Sequence, residues 1–218
     1  MVKAGRVQVD DIAVHDPGQH LSETVRIVVN GEEIAHETFT YLMLNKPPGF
    51  VSATEDPVEK TVLDILPEQL QKIGLFPVGR LDKDTQGLLI LTNNGALAHA
   101  LLSPRRHVEK VYFAQVDGLL DREDVKAFAQ GITLRDGTVC LPAKLEPEEP
   151  GDACLVTLRQ GKYHQVKRML ASRGKPVKFL KRISMGGLSL DEHLPLGGFR
   201  PLSPEEIGIL SRSGGEIK

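Results

Sequence analysis

Short apolar or alternating runs, each cut off by a Gly, Pro or Asn turn, recur along this chain with helical stretches scattered irregularly between them. That order is not a regular βαβ alternation. It points to an α+β fold with a mixed, mainly antiparallel sheet and flanking helices. Strands are expected in TYLMLNKPPG (40–49), FPVGRLD (76–82), GLLILTNNG (87–95), where Asn-Gly reads as a turn, and KVYFAQVDG (110–118). Others are expected around 133–135, 138–145 and 153–159, with two short strands in VKFLKRISMGGLSL (177–190). Helical spacing marks TVLDILPEQLQKIG (61–74), short and interrupted by Pro67, ALAHALLSP (96–104), DREDVKAFAQGI (121–132), GKYHQVKRMLASRG (161–174) and SPEEIGILSR (203–212).

Residues 1–36 read as a small separate unit, and residues 37–218 as the main domain. GRVQVDD (5–11) and VRIVVNGEEI (25–34) alternate as short strands do, and HDPGQH (15–20) between them is rich in turn residues. Some three dozen residues are too few for a stable core of their own.

With 40% hydrophobic and 26% charged residues, the composition is that of an ordinary globular protein. Only Cys140 and Cys154 are present, not as a CxxC pair, so a disulfide framework or thiolate zinc site is not expected and a reducing cytoplasm fits. No apolar run approaches the roughly 20 residues of a membrane helix, and MVKAGRVQVDD lacks the apolar core of a signal peptide. Net charge is only −2, but eight of the 27 Lys and Arg residues, and no acid, fall between Gly161 and Arg182. Such a segment can meet a polyanion locally; it can equally be a solvated helix face.

Four segments carry candidate chemistry. GRLDKDTQGLL (79–89) puts Arg80 and Asp82 at a strand-to-loop edge. A carboxylate there can serve as nucleophile or base if a cation holds it ionised, or it can simply bond its own backbone in a turn. Asp82 and Asp84 lack a His or further acid at ligand spacing, so no metal site is expected. On a helix through GKYHQVKRML (161–170), His164, Lys167 and Arg168 share a polar face, while Val166, Met169 and Leu170 turn to the core. In EKVYFAQV (109–116), alternation sets Lys110, Tyr112 and Ala114 on one face. Tyr112 can stack on a base or merely fill a strand surface. LNKPPGFVSAT (44–54) is a stiff turn carrying Lys46. Walker, dinucleotide-binding, zincin and serine-hydrolase signatures are missing from the sequence.

Taken in order, NKPPG, GRLDKDTQGLLILTNNG, HVEKVYFAQVDG and GKYHQVKRML closely resemble the RsuA-like family of ribosomal RNA pseudouridine synthases, from about Tyr41 to Leu210. The resemblance implies Asp82 as catalytic residue, Tyr112 stacked on the target base and Lys167 paired with the catalytic carboxylate. Arg80 would help displace the flipped base, and Lys46 would support the site or contact RNA. Arg105, Arg106, Lys162, His164, Gln165 and Arg168 complete the expected RNA-binding set. The implied enzyme needs no cofactor and no metal. Its expected partner is ribosomal RNA of the small subunit, with uridine 516 of 16S rRNA as target, and the expected form is a cytoplasmic monomer. Residues 1–36 are similar to the later half of an S4 RNA-binding domain without its leading helices. The competing readings are a synthase for a 23S rRNA uridine, a non-catalytic RNA-binding or ribosome-assembly protein that reuses the fold, and a metal-dependent hydrolase using Asp82 and Asp84.

Overall fold

Two tight turns with positive φ at both central residues, Asp10-Asp11 (49°, 66°) and Asn30-Gly31 (54°, 86°), bend the N-terminal residues into hairpins. Such turns match the natural twist of the strands they join. The segments expected as two strands are therefore four: β1 (Val7–Val9), β2 (Ile12–Val14), β3 (Ile27–Val29) and β4 (Glu32–Ile34), in antiparallel order β2-β1-β3-β4. The computed structural model describes residues 1–19, 21, 25–34 and 39–215. The expectations at His20 and for residues 35 and 36 lie outside these. Contacts divide the chain into Met1–Thr40 and Tyr41–Lys218.

The second unit is built on β5 (Tyr41–Lys46), β6 (Phe76–Pro77), β7 (Gln86–Thr92), β8 (Lys110–Val116), β9 (Ile132–Thr133), β10 (Val139–Cys140), β11 (Lys144–Glu148), β12 (Ala153–Leu158), β13 (Val177–Met185), β14 (Leu188–Ser189) and β15 (Phe199–Pro201). Its helices are α1 (Glu68–Gln71), α2 (Gly95–Leu102), α3 (Arg122–Gln130), α4 (Gln165–Ser172) and α5 (Pro204–Gly214). The main sheet runs β11-β12-β8-β13-β7-β5-β15, with β14 on β13 and β6 on β7. Every pairing in it is antiparallel except β13 with β7. The mixed, mainly antiparallel α+β architecture is thus the one the sequence implied.

Alternation along β5 and β7 sorts the core onto two faces. Leu42, Leu44, Leu89 and Leu91 join one apolar cluster with Tyr112, Phe128, Val166, Met169 and Leu170. Met43, Leu88 and Ile90 join the other with Leu97, Leu101, Met185 and Leu210. Helices α3 and α4 thus cover one face and α2 and α5 the other. No helix among the described residues is long and apolar enough to cross a membrane.

Local expectations are refined at four places. Pro67 cannot donate a backbone N–H, and the Pro-interrupted helix expected over 61–74 is divided there, as read, into a 3-10 turn (Val62–Ile65) and the single turn α1. Asn94-Gly95 is no hairpin turn: the Asn94 side chain accepts from Leu97 N at 3.0 Å and caps α2. VKFLKRISMGGLSL holds the two expected strands, but the first, β13, is nine residues long and runs through the middle of the sheet, and only β14 is short. Helix α4 begins only at Gln165, because His164 takes a left-handed φ of 48° at its N-cap.

Candidate active site

Asp82 sits on the loop that leads into β7, and that loop is tied down from three sides. Lys46, last residue of β5, is fully buried. Its Nζ donates to the carbonyls of Pro47, Asp82, Lys83 and Thr85 at 3.0–3.2 Å. Ser52 Oγ accepts from Leu81 N and donates to Leu81 O, both at 3.0 Å. Gly49 N donates to Lys83 O at 2.8 Å, from a backbone with φ 89° that favours glycine. Burial pushes the Lys46 ammonium down to about 8, against the pull of Asp84 and Asp82. Lys46 therefore supports the loop and has no surface to offer RNA, which removes the contact reading of this residue.

The carboxylate emerges from this frame into a narrow cavity of about 70 Å³. Its walls include Arg80, Thr85, Tyr112, His164, Gln165 and Leu180. Lys167 Nζ lies 3.1 Å from Asp82 Oδ2 and 2.6 Å from Asp84 Oδ1, so one ammonium bridges both acids. Burial works against the Lys167 charge, but hydrogen bonds and charge from Asp84 and Asp82 outweigh it and raise its pKa. The hydrogen bond from Lys167 holds Asp84 below the ordinary carboxylate range. His164 Nε2 stands 3.4 Å from Asp82 Oδ1, and Thr85 Oγ1 donates to Asp82 Oδ2 at 3.4 Å. His164 reaches Asp82 from the N-cap, not from a helical face. Its ring stacks on the exposed ring of Tyr163, with centroids 3.8 Å apart.

Tyr112, 9% exposed, faces the cavity from β8. The same tyrosine, with Arg80, Gln160, Gly161 and Lys162, also lines a wider groove of about 540 Å³. Arg80 is exposed at the junction of the two. Gln165 is buried and uses its amide within the loop before α4, accepting from Lys162 N at 3.1 Å and donating to Gln160 Oε1 at 3.2 Å. Arg168 does not join the group: it pairs with Asp136 and lines a separate depression. Arg105 and Arg106 are exposed on a 3-10 turn (Pro104–Arg106) after α2 and line neither cavity.

The structure thus gathers Asp82, Tyr112, Lys167, His164, Gln165, Lys162 and Arg80, and separates Arg105, Arg106 and Arg168 from them. Sequence reasoning passed over the bridging role of Asp84 and over Lys110, Arg159 and Arg182 in the groove wall. Lys110 could have been found, since alternation sets it on the Tyr112 face. Among the described residues, no cluster of three or more His, Cys, Asp or Glu side chains could hold a metal ion.

An acid held by Lys167 and His164 beside a mostly buried aromatic ring could take a base extruded from RNA, and comparison with known proteins gives the family. The family model for RNA pseudouridylate synthase matches residues 40–172. An uncharacterized RNA pseudouridine synthase, YtzG, of Bacillus subtilis is 43% identical over 97% of this chain and 90% of its own length. Ribosomal small subunit pseudouridine synthase A of Pseudomonas aeruginosa is 41% identical over 95% of this chain and 90% of its own. The Escherichia coli protein of the same name is 38% identical over 94% and 89%. Among solved structures, a pseudouridylate synthase superposes with a TM-score of 0.75 at 34% identity, over 96% of this chain and 90% of that one.

Proposed function

The chain belongs to the RNA pseudouridylate synthase family, and we propose that it isomerises one uridine of small-subunit ribosomal RNA, at position 516 of 16S rRNA, with Asp82 as the catalytic carboxylate. It is an RNA pseudouridine synthase. The small-subunit assignment is supported by relatives of that name at 41% and 38% identity over nearly the whole chain. The observation that carries the catalytic reading is the carboxylate of Asp82 held 3.1 Å from Lys167 in a cavity walled by Tyr112.

The reaction breaks the N-glycosidic bond, turns the uracil and rejoins it to C1′ through carbon. No electrons are exchanged with a partner. The target base must leave its stack to reach the cavity. Tyr112 stacks on the detached uracil, an interaction typically of about 1–3 kcal/mol. Asp82 acts at the sugar, either adding to C1′ or taking the 2′ proton, while Lys167 fixes where its oxygens point. Arg80, exposed at the rim, occupies the space the flipped base vacates. Lys162 and His164 line the entry and meet the RNA there. The enzyme works as a cytoplasmic monomer, with the N-terminal strands as an S4-like docking element.

The test compares wild type with Asp82→Asn on small-subunit rRNA lacking the modification, with pseudouridine mapped by carbodiimide primer extension. One stop with wild type and none with Asp82→Asn is the expected outcome. A stop only on large-subunit RNA would overturn the target and keep the chemistry. No stop on either RNA would favour a binding protein.

A further inference from the structure

Arg182 is 1% exposed, yet it lacks what a buried guanidinium needs. Its Nε donates to Leu88 O at 2.8 Å, while its Nη2 has no hydrogen-bond partner. In the β8–β13 ladder Arg182 lies opposite Tyr112, and Lys110 lies two residues before Tyr112. All three side chains therefore stand on one face, with Lys110 about 7 Å along β8 from Tyr112 and Arg182 across from it on β13. All three line the groove of about 540 Å³.

Lys110 is half-buried and donates to Val108 O at 3.0 Å, leaving ammonium protons over. Burial and the neighbouring Arg182 push it down to about 8. No Asp or Glu lines this groove, whereas Arg80, Lys110, Lys162 and Arg182 do, together with Arg159, which Glu109 already pairs at 2.7 Å. Two cations brought together on a floor with no acid need a negative charge from outside the chain. A guanidinium and an ammonium suit a phosphate, the first as a planar fork and the second as a point charge.

We propose that Lys110 and Arg182 form a phosphate subsite that takes one backbone phosphate flanking the uridine stacked on Tyr112. The proposal rests on the RNA pseudouridine synthase reading above. It places the substrate's charge next to the stacking ring, in the groove that shares Tyr112 with the Asp82 cavity.

The test uses the full chain and the rRNA uridine that wild type modifies. RNAs carrying a single methylphosphonate at either phosphate flanking that uridine are compared with unmodified RNA. For wild type, one of the two substitutions raises KM about tenfold, the loss expected for one charge-assisted contact. With Lys110→Met, the unmodified RNA already shows that raised KM, and the same methylphosphonate adds less than about twofold. Arg182→Gln behaves alike where thermal melting shows it folded; if it does not fold, Lys110→Met decides alone. Equal methylphosphonate penalties in wild type and Lys110→Met, or none in wild type, would overturn the subsite. Absence of pseudouridine from wild type at any rRNA uridine would instead overturn the reading beneath it.

Discussion

Lys46 and Arg182 are both buried basic side chains of the main sheet, 0% and 1% exposed, but their surroundings differ. Lys46 points into a ring of four backbone carbonyls, three of them from the loop that carries Asp82. Arg182 reaches one carbonyl, leaves Nη2 without a partner, and lines an acid-free groove. A cation whose protons all find backbone is a fastener of the fold. A cation left with open protons beside a cavity is a receptor. Burial alone does not tell one from the other; the count of satisfied donors does.

Substitution should separate the two residues most sharply at Lys46. Lys46→Met strands several buried carbonyls and frees the Asp82 loop, so urea unfolding should show a loss of about 3–5 kcal/mol and activity should fall with it. A Lys46→Met chain of wild-type stability would break the comparison. Next in size, Lys167→Met leaves both acids without their shared ammonium and should lower kcat/KM about 100-fold while the melting temperature changes little.

A pH series sharpens the contrast further. Lys46 and Lys110 both sit near 8 in the folded chain, below the ordinary lysine value of 10.5. Between those values the unfolded chain binds more protons than the folded one. Stability from these two lysines therefore rises as pH climbs from 8 toward 10.5. RNA affinity should run the other way, because the open ammonium of Lys110 loses its charge above about 8 while RNA prefers it charged. Filter binding across pH 8 should show this fall in wild type and a flatter curve in Lys110→Met. The smallest effect belongs to Asp84→Asn. Its side chain is 75% exposed, so kcat/KM should drop less than about tenfold.

How much the sequence revealed depended on whether a residue's role is local. Alternation set Tyr112 and Ala114 on one face of β8, and both are buried. Helical spacing sent Val166, Met169 and Leu170 to the core, as found. The helical spacing of SPEEIGILSR is met by α5, where Ser203 Oγ accepts from Glu206 N. Asp82 and Lys167 came from a resemblance, and their 3.1 Å contact joins residues far apart in the chain. Lys46 was misread in part because its partners lie some 36 to 39 residues onward, and no local pattern announces them. Arg182 was hidden as one of eight basic residues in a charged segment. Strand pairing alone sets it apart, by laying it opposite Tyr112 under β7.

Among the described residues, β13 is also the only strand that pairs with both β11-β12-β8 on one side and β7-β5-β15 on the other. Tyr112 belongs to the first group, and the Asp82 loop feeds the second. At the seam, a methyl group on Gly87 would lie 2.2 Å from the Arg182 carbonyl oxygen, so the two backbones meet with only a hydrogen atom between them. During synthesis β5, β7, β8, β11 and β12 leave the ribosome before β13, and β15 follows it. The Asp82 loop and Tyr112 are therefore both made before the strand that joins their two half-sheets. On this topology the onset of activity in a refolding experiment should not precede the docking of β13.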